Sequence, residues 1–205
     1  MVTRVNNRNV VAGFYRVPQI AEACKVRHLV TEIVAVQSQR VPFHEFIFLI
    51  GLGELLRLLL LFMVIIRELV ECTVEDLDQL NGLIPMLSKS ASPLTLEKLE
   101  EILQSSSTHL YVAEQGSEII GMLSLVIFPI PTGIRAWIED VVVSEKARGQ
   151  GLGKKLTLYA LEQSKKYSVV SVDLTSRPSR EIANKLYQNV GFQKRETNVY
   201  RFLND

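Results

Sequence analysis

Glu139-Asp140-Val141-Val142-Val143-Ser144-Glu145-Lys146-Ala147-Arg148-Gly149-Gln150-Gly151-Leu152-Gly153-Lys154-Lys155-Leu156 reads as strand, turn and helix. The β-branched run of Val141 to Val143 stops at charged residues, and three alternating glycines follow. An apolar-periodic helix then opens with Leu152, Leu156, Leu158 or Tyr159, and Leu161. Each glycine removes a Cβ from the turn, so several backbone N–H groups can converge where the helix N-terminus adds its partial positive charge. The result is an anion site suited to phosphate.

Two common glycine-rich loops are excluded by single residues. A dinucleotide fingerprint starting at Gly149 needs glycine at 154, where Lys154 stands; a P-loop ending at Gly153-Lys154 needs glycine at 148 and a hydroxyl at 155, which are Arg148 and Lys155. The pattern that fits is R-x-x-G-x-G, carried by Arg148, Gly151 and Gly153. Downstream, Val169 to Leu174 reads as a strand. It leads into Ala183-Asn184-Lys185-Leu186-Tyr187-Gln188-Asn189-Val190-Gly191-Phe192, the pattern A-x-x-L-Y-x-x-x-G-F. With both patterns in order, the chain resembles the GNAT superfamily of acyl-CoA-dependent N-acetyltransferases over roughly residues 63 to 205.

The resemblance implies an α/β fold with a mixed, mostly antiparallel central sheet flanked by helices. It also implies acetyl transfer from acetyl-CoA to a primary amine without a metal. Pyrophosphate would sit on the main chain of Arg148, Gly149, Gln150, Gly151, Leu152, Gly153 and Lys154. The pantetheine and thioester would lie along Val141, Val142 and Val143, with the Val141 N–H facing the oxyanion. Tyr187 is the implied general acid for the departing thiolate. Glu139 is the candidate base or acceptor-orienting carboxylate, and a structural role for it stays open. Many members carry an asparagine seven residues before the tyrosine. This chain has Arg180 there, with Asn184 one helical turn on, so either is a candidate CoA contact. An acyl-CoA-binding module without turnover and a peptide or protein N-acetyltransferase are the alternative functions.

The remaining sequence sets bounds. A chain of 205 residues with 47% apolar composition can bury one sizeable core. Its net charge of +1 gives no electrostatic case for nucleic acid. Cys24 and Cys72 have no metal spacing and suggest no disulfide framework, which points to a reducing compartment, the cytoplasm. His28, His44 and His109 are scattered and read as ordinary surface or half-buried residues.

Residues 1 to 62 form an extension of net charge +3, against −2 for the rest, with an apolar helix expected at about 43 to 61. Membrane association through it is disfavoured. Glu54 and Arg57 lie near the centre of the apolar run, and the flanking charges would place the following domain away from cytosolic acyl-CoA. Met63 resembles a natural start, making 1 to 62 an appended segment; a tethering amphipathic helix is the rival reading. Strand 63 to 70 opens the domain of 63 to 205. Thr73 is expected to cap a first helix, which Pro85 kinks or ends, and Thr95 with Lys98 and Leu96, Leu99, Ile102 and Leu103 makes a second short helix. A hairpin turns at Gln115-Gly116-Ser117, and its second strand runs from Glu118 to Phe128. Strand period places Trp137, Glu139, Val141 and Val143 on one face of the next strand. Val199-Tyr200-Arg201-Phe202 is expected as the last strand, and a homodimer is compatible with this layout.

Overall fold

The computed structural model describes residues 63–88 and 90–204, with Gly53 alone before them. The extension 1 to 62 and its expected apolar helix therefore lie outside the described residues, apart from that glycine.

Five strands form one sheet in sequence order: β1 (Val64–Glu68), β2 (Thr108–Gln115), β3 (Glu118–Ile130), β4 (Gly133–Val143) and β5 (Ser171–Leu174). The first four are antiparallel to their neighbours, and β5 runs parallel to β4. The sheet is thus mixed and mostly antiparallel, as expected. Between β1 and β2 lie α1 (Val74–Leu87) and α2 (Leu96–Gln104); α3 (Leu152–Ser164) precedes β5 and α4 (Glu181–Asn189) follows it.

Each face of the sheet buries its own core. On one face Leu80 and Leu83 of α1 and Leu99 of α2 meet Leu110, Val112, Ile119, Met122 and Val142. On the other, Leu152, Leu156 and Ala160 of α3 cover Tyr111, Leu123, Leu125, Ala136 and Ile138. Of the alternatives Leu158 and Tyr159, it is Tyr159 that packs inward, while Leu158 is 44% exposed.

Local chemistry sets the element ends. Thr73 and Asp76 form a reciprocal capping box: Asp76 N–H donates to Thr73 Oγ1 at 3.1 Å, and Thr73 N–H to Asp76 Oδ2 at 2.8 Å. Thr95 Oγ1 likewise accepts from Lys98 N–H at 3.2 Å. Pro85 does not end α1, which runs on to Leu87; it removes one hydrogen bond near the last turn. Asn81 clamps the connector to α2, accepting from Leu94 N–H at 2.7 Å and donating to Leu94 O at 3.0 Å.

Three expectations are corrected. First, β3 runs through Pro129 to Ile130 and turns at residues 131–132, beyond the expected end at Phe128. Ile127 N–H donates to Ser107 O at 2.7 Å, so by alternation Pro129 turns its nitrogen to the same side. There β2 has not yet begun, and the missing N–H costs nothing.

Second, simple alternation fails in β4. Ser124 pairs with Glu139 and Met122 with Val142, so one residue of β3 faces two of β4, and Asp140 takes φ 53°. This bulge resets the faces. Val141 and Val143 pack on the α3 side with Ala136 and Ile138, while Val142 joins the α1 and α2 core. Trp137 and Glu139 are therefore not on the face of Val141 and Val143.

Third, Val199 to Phe202 is not a strand. It finds no partner for its peptide groups among the described residues, and Val199, Tyr200, Phe202 and Leu203 are 73–89% exposed.

Candidate active site

The site forms where two strands part. Residues 135–138 of β4 pair with 171–174 of β5, and pairing stops at Ile138 and Leu174. From Glu139 onward β4 keeps β3 on one side and has no strand on the other, so alternate peptide groups there are left without a ladder. The bulge falls at this point. Val141, the expected oxyanion donor, is with Asp140 one of the two bulge residues without a partner in the register.

β4 delivers the chain directly into the glycine turn. Ser144 N–H donates to Ile120 O at 2.8 Å, and a single 3-10 turn, Glu145–Ala147, buries Ala147 beneath the loop. Gly149 (φ 80°) and Gly151 (φ 72°) then take the left-handed conformation that side-chain-bearing residues disfavour. Gly151 is the N-cap of α3 and offers no side chain to its free N–H groups. The first intrahelical bond, Lys155 N–H to Gly151 O, is 3.0 Å long. Among the described residues, the N–H groups of 149 to 154 donate to no protein acceptor. A Cβ added at Gly149 or Gly151 would meet open space. A row of unpaired donors beside open space, at a helix N-terminus, fits a pyrophosphate.

Gly153 has a different use. A Cβ there would lie 3.2 Å from Leu186 Cδ1, so the missing side chain lets α4 approach α3 closely. That approach positions Tyr187. Its ring meets Phe192 edge-on at 6.0 Å between centroids. Burial pushes the Tyr187 phenol above its ordinary range, partly offset by the positive charge of Arg180. The hydroxyl has no hydrogen-bond partner among the described residues, and it stays protonated at neutral pH, as an acid must.

The other expected residues are placed less simply. Arg148 lies at the turn but is exposed and bonds Glu145 Oε1 at 3.2 Å. Arg180 is the N-cap of α4. Asn184 donates its amide to Arg177 O at 3.0 Å and Pro178 O at 3.4 Å; it braces the loop after β5, leaving only its oxygen unused. Gln150 and Lys154 are exposed, and Leu152 is buried, so Leu152 can contribute only its peptide group. Glu139 is exposed on the face opposite Val141.

Two residues went unnoticed in the sequence. The hydroxyls of Ser144 and Ser176 are buried without a partner, one just after each of the diverging strands. Unsatisfied buried hydroxyls where two strands part are natural contacts for a polar ligand. No sequence signal marks them, since serine is ordinary in a loop. His109, expected to be a surface or half-buried residue, is buried; its Nδ1 is 2.7 Å from Glu68 Oε1 and its ring lies beside Tyr111 and Tyr167. Among the described residues there is no group of three or more metal-ligating side chains, and no helix is long and apolar enough to cross a membrane.

Comparison with known proteins bears directly on this geometry. The model of the acetyltransferase (GNAT) family matches residues 75–192. The uncharacterized N-acetyltransferase YhdJ of Bacillus subtilis (strain 168) is 29% identical over 114 residues, 53% of this chain and 80% of that protein. A transcriptional regulator from Bacillus halodurans C-125 is 30% identical with a TM-score of 0.60, over 69% of this chain and 100% of that one. The aminoglycoside N-acetyltransferase AAC(6')-Iy, solved in complex with CoA, shares the fold at 18% identity and a TM-score of 0.57, over 69% of this chain and 95% of that one.

Proposed function

The chain belongs to the acetyltransferase (GNAT) family, and from that premise we propose that it transfers an acetyl group directly from acetyl-CoA to a primary amine. The observation that carries this reading is the continuity of β4 with the glycine turn. The unpaired half of β4 runs straight into the turn whose N–H groups lack acceptors, so one path holds the thioester at one end and pyrophosphate at the other. The cytoplasm is the compartment this reading implies, and no metal enters the reaction.

In this reading the amine loses a proton to Glu139, directly or through water, and its lone pair attacks the thioester carbonyl carbon. The Val141 N–H bonds the oxyanion that forms. Collapse breaks the carbon–sulfur bond; the sulfur takes the Tyr187 hydroxyl proton, and the nitrogen's second proton passes through water to the Tyr187 phenolate, leaving the amide, free CoA and a restored phenol. The raised phenol favours a protonated donor while the thiolate forms. Ser144 and Ser176 are proposed to give their unpaired hydroxyls to the pantetheine amides.

The test is thiol release by the full-length protein from acetyl-CoA across a panel of primary amines, with the acetylated amine identified by mass spectrometry. Release that depends on one or more amines is expected. A folded protein that binds acetyl-CoA and releases no thiol with any amine would favour the binding-module reading instead.

A further inference from the structure

The sheet face opposite α3, beyond the cover of α1 and α2, carries a second set of side chains. On β3, Leu123, Leu125 and Ile127 are buried beneath α3, whereas the alternate Ser124, Val126 and Phe128 are only half-buried. The register lines these with β4 and β5 in three rungs. Ser124 pairs with Glu139, Val126 with Trp137 and Asp173, and Phe128 with Arg135 and Ser171. Glu139 is therefore at the end nearest the bulge, Arg135 is at the far end, and Trp137, the chain's one tryptophan, lies between them on the same face.

The far end is rich in positive charge. Arg135 Nη1 donates to Ser171 Oγ at 3.0 Å and has no carboxylate partner among the described residues. Most of its five N–H donors thus remain unused by the protein. Ser171 Oγ donates to Asp173 Oδ2 at 3.4 Å, and Arg195 Nη1 reaches Asp173 Oδ1 at 3.5 Å from the other side. Asp173 thus meets Arg195 directly and Arg135 only through Ser171, and the arginine without an acid is the half-buried one, beside the tryptophan.

We propose that this face binds an acceptor amine that also carries an anionic group. Its ammonium lies at Glu139, its body on Trp137, and its carboxylate or phosphate at Arg135. The inference rests on the transferase reading above, in which Glu139 receives the reacting amine. A planar guanidinium with free donors matches carboxylate or phosphate oxygens better than any other side chain. Four strand residues separate the Cα atoms of Arg135 and Glu139 by about 13 Å. With about 3 Å for a hydrogen bond at each end, the acceptor spans about 7 Å from nitrogen to anion.

The experiment uses full-length protein, acetyl-CoA, and the matched pair 6-aminohexanoate and hexylamine. The carboxylate lies far from the reacting nitrogen, so its effect falls on KM: about tenfold lower for 6-aminohexanoate, with similar kcat. Arg135→Gln is expected to bring the two KM values together, and Arg135→Lys, a point charge without the fork, to restore part of the difference. Thermal melting checks that each variant is folded. Trp137 fluorescence gives a readout independent of turnover: saturable change with 6-aminohexanoate in the wild type, lost in Arg135→Gln. If neither amine is acetylated but that change occurs, the transferase reading fails and the anion site stands. If hexylamine is used as well as 6-aminohexanoate, or Arg135→Gln keeps the preference, the anion site is overturned while the transferase reading stands. Absence of both turnover and fluorescence change also overturns it.

Discussion

The two halves of β4 belong to one strand and have opposite roles. Arg135 to Ile138 is paired on both sides and contributes Ala136 and Ile138 to the core under α3. Glu139 to Val143 is richer in β-branched residues, yet it has lost its β5 neighbour, carries a bulge, and leaves one row of its peptide groups without a ladder. One strand is a scaffold where its ladder is complete and leaves peptide groups free where it is not.

That contrast can be broken from either side. Ile138→Ala, in the paired half, is expected to cost about 2 to 5 kcal/mol of stability, since a fully packed side chain is replaced by a cavity. Denaturant unfolding would measure it, and KM for acetyl-CoA in the surviving folded fraction should hold. Tyr187→Phe acts on the other half. Under the proposed mechanism it lowers kcat about a hundredfold with little change in KM for acetyl-CoA. It should also abolish an alkaline limb of the rate profile. Because burial raises the phenol, that limb falls above the ordinary tyrosine value of about 10. Glu139→Gln keeps shape and removes the charge; a roughly tenfold fall in kcat/KM is expected, greatest at low pH where the amine is most protonated. The smallest effect has the opposite sign. Ser176→Ala removes a buried hydroxyl without a partner, so the free protein should gain up to about 1 kcal/mol, while the extra stabilisation on adding acetyl-CoA shrinks.

What could be read in advance follows the same division. The capping threonine Thr73, the turn at Gly116-Ser117 and the glycine turn are local, and each was legible because its chemistry is complete within a few residues. The bulge at Asp140 was not. A pattern of period two carries no mark of the extra residue, which is defined only against Met122 and Ser124 on another strand. Pro129 misled for a similar reason: whether its missing N–H matters depends on where β2 begins. The roles of Ser144, Ser176 and Asn184 rest on burial and on loop carbonyls that no motif encodes. The apolar pattern of Val199 to Phe202 suggested a strand, but a strand needs an edge to join, and among the described residues this segment joins none.

The central claim, that the uncapped turn at Gly151 receives the pyrophosphate of acetyl-CoA, is tested most directly by isothermal calorimetry of the full-length protein and its Gly151→Val variant. The account predicts one micromolar site in the wild type. It predicts at least about tenfold weaker binding in the variant, because a β-branched residue at φ 72° is strained and forces the donors to turn away. Absence of binding by the folded wild-type protein, or a folded variant that binds as tightly, would contradict it.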